Sequence, residues 1–223
     1  MHKYNATIKD FGNGLKQVKL YDFDISILDD DFEKMARIEK IWENKSPDIR
    51  TDEEKEIDSF YKRLENNNRA KNNVYDIARS NKWDWFLTLT FSPDKVNRYD
   101  YSECLKKLQK RFDNIRTKYC PDMKYLLVPE LHKDGGVHFH GLLANCDLMH
   151  FTPAINPHTQ LQIVQKGLLV FNWNLYTLGF CTATPVQDTK RVSHYITKYI
   201  TKSQIDLMKG KRRFLQVKIA ISP

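Results

Sequence analysis

The spacing of apolar positions changes several times along the chain, and the first change separates a hairpin from helices. The segments NATIKDF and LKQVKLYDF flank Gly12-Asn13-Gly14, which has the turn chemistry of a small hairpin. Residues 31–81 carry apolar side chains at helical spacing, and Pro47 breaks them into two helices. Thr51 precedes three acidic residues, which predicts that it caps the second helix. We therefore expect a hairpin followed by a helical appendage.

The pattern becomes typical of strands at residue 83. WDWFLTLTF, residues 83–91, alternates and is rich in aromatic and β-branched side chains. Residues 101–119 return to helical spacing, with basic residues on the remaining faces of an amphipathic helix. MKYLLVPEL and GGVHFHGLLA then predict two antiparallel strands, because Lys133-Asp134-Gly135-Gly136 between them favours a tight turn.

The last seventy residues are less regular. After an irregular stretch that contains Pro153 and Pro157, FNWNLYTLG predicts a short helix, GFCTATPV a strand, VSHYITKYITKSQ a helix and FLQVKIAI a final strand. Strands separated by helices, with one clear antiparallel pair, predict an α+β fold in which helices flank a central antiparallel β-sheet. We expect two domains, residues 1–80 with the hairpin and helical appendage, and residues 81–223.

Composition narrows the class of protein. A chain of 223 residues can bury a sizeable core without staples. Its four cysteines show no CxxC pair, which argues against a disulfide framework or a cysteine zinc site and suits a reducing cytoplasm. The sequence has no apolar run of the roughly 18 residues that a membrane span needs and no signal-peptide pattern at its start. These features predict a soluble protein in the cytoplasm, which for this class would be that of a bacterial host cell.

The charge is distributed unevenly. The formal net charge of +8 and the pI near 9.2 favour a polyanionic partner. Residues 22–65 are predominantly acidic, whereas residues 186–223 contain only two acidic residues and many lysines and arginines. We expect the basic end to face phosphates, although any single one of these residues can equally belong to a solvated face.

A histidine pair is the first candidate for chemistry. His138 and His140 are two positions apart on a predicted strand, so their side chains share one face while Phe139 points into the core. Glu130 ends the partner strand, where its carboxylate can lie across from the histidines. Two imidazoles and a carboxylate bind a divalent ion and leave positions open. Alone, the histidines could also be a polar stripe; His132, near the turn, is interpreted as peripheral.

A tyrosine and lysine repeat is the second candidate. YITKYITK places Tyr195 and Tyr199 four residues apart, and each has a lysine three residues later, Lys198 and Lys202. On a helix each pair lies on adjacent turns. A phenol, with a pKa of about 10, needs positive charge or a base nearby to act as a nucleophile. The same spacing is also common where tyrosines pack a helix against a core.

Together these motifs resemble the HUH endonuclease superfamily, specifically the replication initiators of rolling-circle plasmids and single-stranded DNA phages. FLTLTF (86–91), ELHKDGGVHFH (130–140) and YITKYITK (195–202) occur in the order of the family's three motifs. The resemblance covers residues 83–202 and leaves the first eighty unexplained. It implies an RRM-like sheet with FLTLTF as the central strand, behind the histidine strand, and the tyrosine helix beside it, which makes residues 81–223 an HUH endonuclease domain.

The resemblance also implies a reaction. The enzyme would nick and join single-stranded DNA site-specifically by transesterification, through a 5′-phosphotyrosine, to initiate rolling-circle replication. Mg²⁺ or Mn²⁺ would lie against the scissile phosphate, and lysines would neutralise developing charge. The position of Tyr199 near both lysines favours it as the attacking residue, but spacing does not rank the two tyrosines. The implied residues are Glu130, His138 and His140 for the metal, Tyr195 and Tyr199 as nucleophiles, and Lys198 and Lys202 beside them.

Partners and alternatives follow from the same resemblance. The DNA would be single-stranded at a replication origin, a hairpin being one form, and a host helicase and polymerase would take part, since no GxxxxGK[ST] motif occurs in the sequence. One alternative is a transposase or relaxase of the same chemistry. A second is a non-catalytic nucleic-acid-binding domain that stacks bases on Trp83, Trp85 and Phe91. A zinc hydrolase is a third, but it leaves the tyrosine repeat without a role.

Overall fold

A computed structural model describes residues 2–12, 14–27, 51–200 and 213–216. The chain divides into two compact units, residues 1–62 and residues 63–222. The predicted helix before Pro47 lies outside the described residues, as does Lys202. The predicted domain boundary between residues 80 and 81 stays a prediction.

The hairpin expected at the start of the chain is confirmed. Strands β1, His2–Asp10, and β2, Lys16–Ile27, pair antiparallel. Helix α1, Asp52–Ser80, runs without interruption. Its cap is the predicted one: the Glu54 amide donates to the Thr51 hydroxyl at 3.2 Å, and the Thr51 amide donates to the Glu54 carboxylate at 2.8 Å. This reciprocal pair satisfies amides that the first helical turn leaves unpaired.

The second unit is built on a seven-stranded antiparallel sheet that confirms the predicted α+β class. Its strand order is β11-β4-β5-β3-β10-β9-β6, so β3, which contains most of FLTLTF, is the central strand as expected. A separate two-stranded hairpin, β7-β8, interrupts the chain between β6 and β9. The strands are β3 Trp85–Leu89, β4 Lys124–Leu131, β5 Val137–Ala144, β6 Phe151–Pro153, β7 Val164–Gln165, β8 Leu168–Leu169, β9 Phe171–Trp173, β10 Cys181–Pro185 and β11 Leu215–Gln216.

One face of this sheet, called the α2 face, is closed by helix α2, Tyr101–Lys118. Alternate residues of the strands meet the apolar stripe of that helix in one core cluster. Its fully buried members include Leu87, Phe112, Phe139 and Leu143. Trp83, Trp85 and Phe91 are also buried, so the expectation that they form a base-stacking surface is wrong.

The opposite face, called the α3 face, is covered by helix α3, Thr189–Ile196, and by the last turns of α1. Ile196 and the α1 residue Val74 pack there against Leu126, Val128 and Leu142 of the sheet. Each of these strand residues alternates with one that points to the α2 face. The sheet therefore has two separate cores, and the predicted packing of the tyrosine helix on the sheet is confirmed.

Two helix predictions near the end of the chain are wrong, in whole or in part. FNWNLYTLG forms strand β9 followed by turns, because Phe171 and Trp173 alternate into the core and Asn172 pairs with Thr152. The tyrosine helix is shorter than VSHYITKYITKSQ: α3 ends at Ile196 and continues as one 3₁₀ turn, Thr197–Tyr199. The Thr197 hydroxyl donates to the His194 carbonyl at 2.8 Å, which occupies an acceptor at this end of the helix.

The final predicted elements are described only in part. The end of VSHYITKYITKSQ and most of FLQVKIAI lie outside the described residues, although Leu215–Gln216 does form a strand beside β4. Across the described ranges, no helix combines the length and apolar character that crossing a membrane requires.

Candidate metal and tyrosine site

Strands β4 and β5 place three polar side chains together on the α3 face. Glu130 pairs directly with His138, and Val128 with His140, so the carboxylate faces both imidazoles. The register is set by the turn between the strands. There the Asp134 carboxylate accepts from the Gly136 amide at 3.0 Å, and Gly135 has a φ of 82° that favours glycine.

The ligand atoms of this group converge. Glu130 Oε2 lies 2.7 Å from His140 Nε2 and 3.3 Å from His138 Nε2. One possible ligand atom from each of the three residues lies within 4.8 Å of the other two, and among the described residues this is the group that can hold a metal ion. His132, which the sequence marks as peripheral, is exposed and lies beside Asp134.

The electrostatics of the group suit a metal. Burial lowers the pKa of both His138 and His140, and the nearby Glu130 carboxylate opposes that shift without cancelling it. Both imidazoles are therefore neutral at physiological pH and offer lone pairs. A carboxylate with two neutral imidazoles is a donor set that divalent ions accept. The residues present fit a divalent cation, whose identity the donor set leaves open.

Thr88 orients one of the histidines and was not among the residues predicted from the sequence. Its hydroxyl lies 3.2 Å from His140 Nδ1. If Nδ1 carries the proton, it donates to Thr88 and the Nε2 lone pair points at Glu130. The available signal was the alternation in FLTLTF, which places Thr88 on the face opposite the buried Leu87 and Leu89.

The two tyrosines stand directly against this group. The Tyr199 ring stacks on the His140 ring, with centroids 3.7 Å apart and planes at 15°. The Tyr199 hydroxyl donates to the Tyr195 hydroxyl at 2.9 Å. Burial, followed by this hydrogen bond, raises the pKa of Tyr199 far above its ordinary value. Tyr199 is thus held as a neutral phenol that donates a hydrogen bond to Tyr195.

Two lysines lie next to the Tyr195 ring. Lys198, predicted from the sequence, has its ammonium nitrogen 5.3 Å from the ring centroid. Lys166, in the turn between β7 and β8, has its ammonium nitrogen 5.1 Å from the same centroid. The sequence interpretation missed Lys166 because it treated this stretch as irregular; the Lys-Gly pair between two short apolar runs is the signal for the hairpin.

The comparisons with known proteins agree with this arrangement. The sequence profile of a Replication-associated protein family, that of the ORF2 and gene-2 proteins, matches residues 84–204, which is more than half of the chain. The chain belongs to this family. It is a family of rolling-circle replication initiators of the HUH type, so the resemblance found in the three motifs is confirmed. Neither the curated proteins nor the solved structures contain a match to the chain.

The family match covers all of the residues assembled above. It begins one residue before β3 and ends beyond the 3₁₀ turn that carries Tyr199. Membership supports a role in the initiation of DNA replication, with endonuclease activity and DNA binding in general terms. Residues 1–83 lie outside the match.

Proposed function

We propose that this replication-associated protein nicks and rejoins single-stranded DNA at a replication origin, with Tyr195 as the first nucleophile. The observation that carries the proposal is the contact between the two halves of the site. Tyr199 stacks on His140 and at the same time donates to the Tyr195 hydroxyl. Tyrosines that only packed a helix would not need their hydroxyl groups paired beside a cluster of candidate metal ligands.

The structure distinguishes the roles of the two tyrosines. Tyr199 is buried against His140, and its raised pKa disfavours the phenolate that attack requires. Tyr195 accepts the hydrogen bond from Tyr199 and has the ammonium groups of Lys166 and Lys198 beside its ring. A donor and two cations stabilise negative charge on the Tyr195 oxygen as it attacks. This assignment differs from the preference for Tyr199 that the spacing suggested.

The reaction balances without a further reagent. A bond forms between the Tyr195 oxygen and the scissile phosphorus, and the bond from phosphorus to the 3′ oxygen breaks. The phenol loses its proton, and the 3′ oxygen gains one. The products are a 5′-phosphotyrosine and a free 3′-hydroxyl that a polymerase can extend. Attack by a 3′-hydroxyl on the phosphotyrosine reverses the step and rejoins the strand.

Glu130, His138 and His140 would hold the divalent ion, Mg²⁺ or Mn²⁺. When bound, the ion supplies Lewis-acid stabilisation of charge on the phosphate. Thr88 fixes the ring of His140, and the stacked Tyr199 shields that ring from solvent. Lys198 and Lys202 are proposed to neutralise phosphate charge.

The test uses purified full-length protein, Mn²⁺ and a randomised single-stranded DNA pool labelled in separate batches at either end. A 5′-phosphotyrosine retains the 3′ label on the protein in a denaturing gel and releases the 5′ label. Tyr195→Phe should lower the adduct yield by about a thousandfold or more, since it removes the nucleophile. Tyr199→Phe should still form the adduct, more slowly, because it keeps the ring and loses only the donor.

The controls separate this proposal from its competitors. EDTA should abolish the adduct, and Tyr119→Phe, at an exposed tyrosine remote from the site, should leave it unchanged. An adduct lost in Tyr199→Phe but retained in Tyr195→Phe would reverse the assignment of the nucleophile. Tight binding of DNA with no adduct in the wild type would favour a non-catalytic binding domain and refute the proposed chemistry.

A further inference from the structure

The hairpin β7-β8 leaves the sheet and returns to it, and its turn carries a lysine to the tyrosine site. Its base is tied to the edge of the sheet by backbone hydrogen bonds: the Ile163 amide donates to Ala154 at 2.8 Å, and the Val170 amide donates to Ile163 at 2.9 Å. Strand β8 also contacts β10. The base is therefore fixed, and the turn at Lys166-Gly167 lies next to Tyr195.

The conformation of this turn is not one that a lysine favours. Lys166 has a φ of 51° and Gly167 a φ of 80°, the pattern of a two-residue turn in which asparagine or aspartate usually precedes glycine. A lysine in the left-handed region carries a conformational cost. An observed departure of this kind is a reason to look for a function of the residue.

Burial does not explain the lysine either. Lys166 is exposed, as are both residues of β7 and Gly167. The turn contributes nothing to either core cluster of the sheet. Lys166 instead contacts the Tyr195 ring, where its ammonium nitrogen lies 5.1 Å from the centroid. That contact joins residues far apart in sequence and does not depend on the helix that places Lys198.

We infer that Lys166 is a positioning residue for the nucleophile: it acts through Tyr195, holding a cation beside the ring as the phenol becomes a phenolate. This inference rests on the proposed function of Tyr195. A cation is attracted to a neutral phenol ring by the quadrupole alone, but to a phenolate also by its full negative charge. The interaction therefore strengthens during attack and lowers the barrier to the chemical step, while the affinity for DNA changes little.

The decisive variant is Lys166→Asn, because asparagine suits the turn better than lysine does and removes the ammonium group. The hairpin should fold at least as well, and the rate of adduct formation at saturating DNA should fall by about tenfold. The dissociation constant for DNA should stay within about twofold. The probe is a single-stranded sequence selected from the random pool by wild-type adduct formation.

Two further variants make the result specific. Lys166→Arg keeps the charge and should restore the rate to within about threefold of wild type. Lys110→Gln removes a charge from an exposed position of α2, on the other face of the sheet, and should leave the rate unchanged. In DNA-free protein, the ε-methylene protons of Lys166 should show an upfield ring-current shift that Tyr195→Leu abolishes.

Several outcomes would overturn the inference. Weaker DNA binding with an unchanged rate at saturation would make Lys166 an ordinary phosphate-binding residue. Equal slowing by Lys166→Asn and Lys166→Arg would show that charge is not what matters, and absence of the ring-current shift would remove the contact itself. A wild type that forms no adduct refutes the proposed function, and the inference with it. A wild-type adduct whose rate Lys166→Asn leaves unchanged refutes the inference alone.

Discussion

The two faces of the seven-stranded sheet use the same strands for different purposes. On β5, Val137, Phe139 and Leu143 point to the α2 face and are buried in an apolar cluster. The residues between them, His138 and His140, point to the α3 face and meet Glu130. One strand thus contributes both to the larger core and to the candidate metal site.

The difference between the faces predicts where substitutions affect stability and where they affect chemistry. The α2 face has an 18-residue helix over a continuous apolar cluster, which provides the burial that drives folding. The α3 face has an eight-residue helix and places polar groups among its apolar ones. Substitutions of adjacent residues on one strand should therefore have separable effects.

The largest effect is expected on the α2 face. Phe139→Ala removes a fully buried ring and should lower the free energy of unfolding by about 3–5 kcal/mol, measured by urea denaturation. His138→Ala, next to it, should change that free energy much less in metal-free buffer, because the imidazole is part of no apolar cluster. If the two variants lost equal stability, the two faces would not be separate in the way described.

The second prediction concerns metal binding. His140→Asn should weaken Mn²⁺ binding by at least about a hundredfold in isothermal titration calorimetry, because it removes one of the three ligands. His132→Asn is the matched control at the exposed histidine beside the turn, and its affinity should equal that of the wild type. Comparable losses in both variants would mean that His132 is a ligand and that the group Glu130, His138 and His140 is incompletely assigned.

Much of this site could be predicted from the sequence because its determinants are local. The alternation in GGVHFHGLL places His138 and His140 on one face, and the turn at Asp134 fixes the register that brings Glu130 across from His138. Both depend only on the twofold period of a strand and on turn chemistry. The central position of FLTLTF came from the family resemblance and not from its local pattern.

The parts that could not be predicted depend on tertiary contacts. The helix at Tyr195 was expected to continue past Tyr199, but it ends at Ile196, so the two hydroxyl groups meet across a change to 3₁₀ geometry. The contact of Lys166 with Tyr195 requires knowing where the hairpin β7-β8 lies relative to α3. Residue spacing carries no information of that kind.

A third, smaller effect tests the support of His140 from the central strand. Thr88→Val keeps the shape of the side chain and removes the hydroxyl that lies 3.2 Å from Nδ1. It should weaken Mn²⁺ binding by about tenfold, as loss of a group that orients a ligand commonly does. Thr182→Val, at the residue that pairs with Thr88 on β10, should leave binding unchanged. Equal effects would point to a general change in the sheet.

The smallest effect compares the two helices through their caps. Asp100 accepts from the amides of Ser102 and Glu103 at the start of α2, and Asp188 accepts from two amides at the start of α3. Asp100→Ala and Asp188→Ala should each cost about 1 kcal/mol in the free energy of unfolding.

The two cap variants should differ in the reaction. Because Tyr195 lies near the end of the short helix α3, Asp188→Ala should loosen its position and slow adduct formation by a few-fold, whereas Asp100→Ala should leave the rate of the folded protein unchanged. Asp188→Asn keeps an acceptor and should restore both stability and rate. Equal rates in all three variants would mean that packing of Ile196 against the sheet, rather than the cap, holds the nucleophile in place.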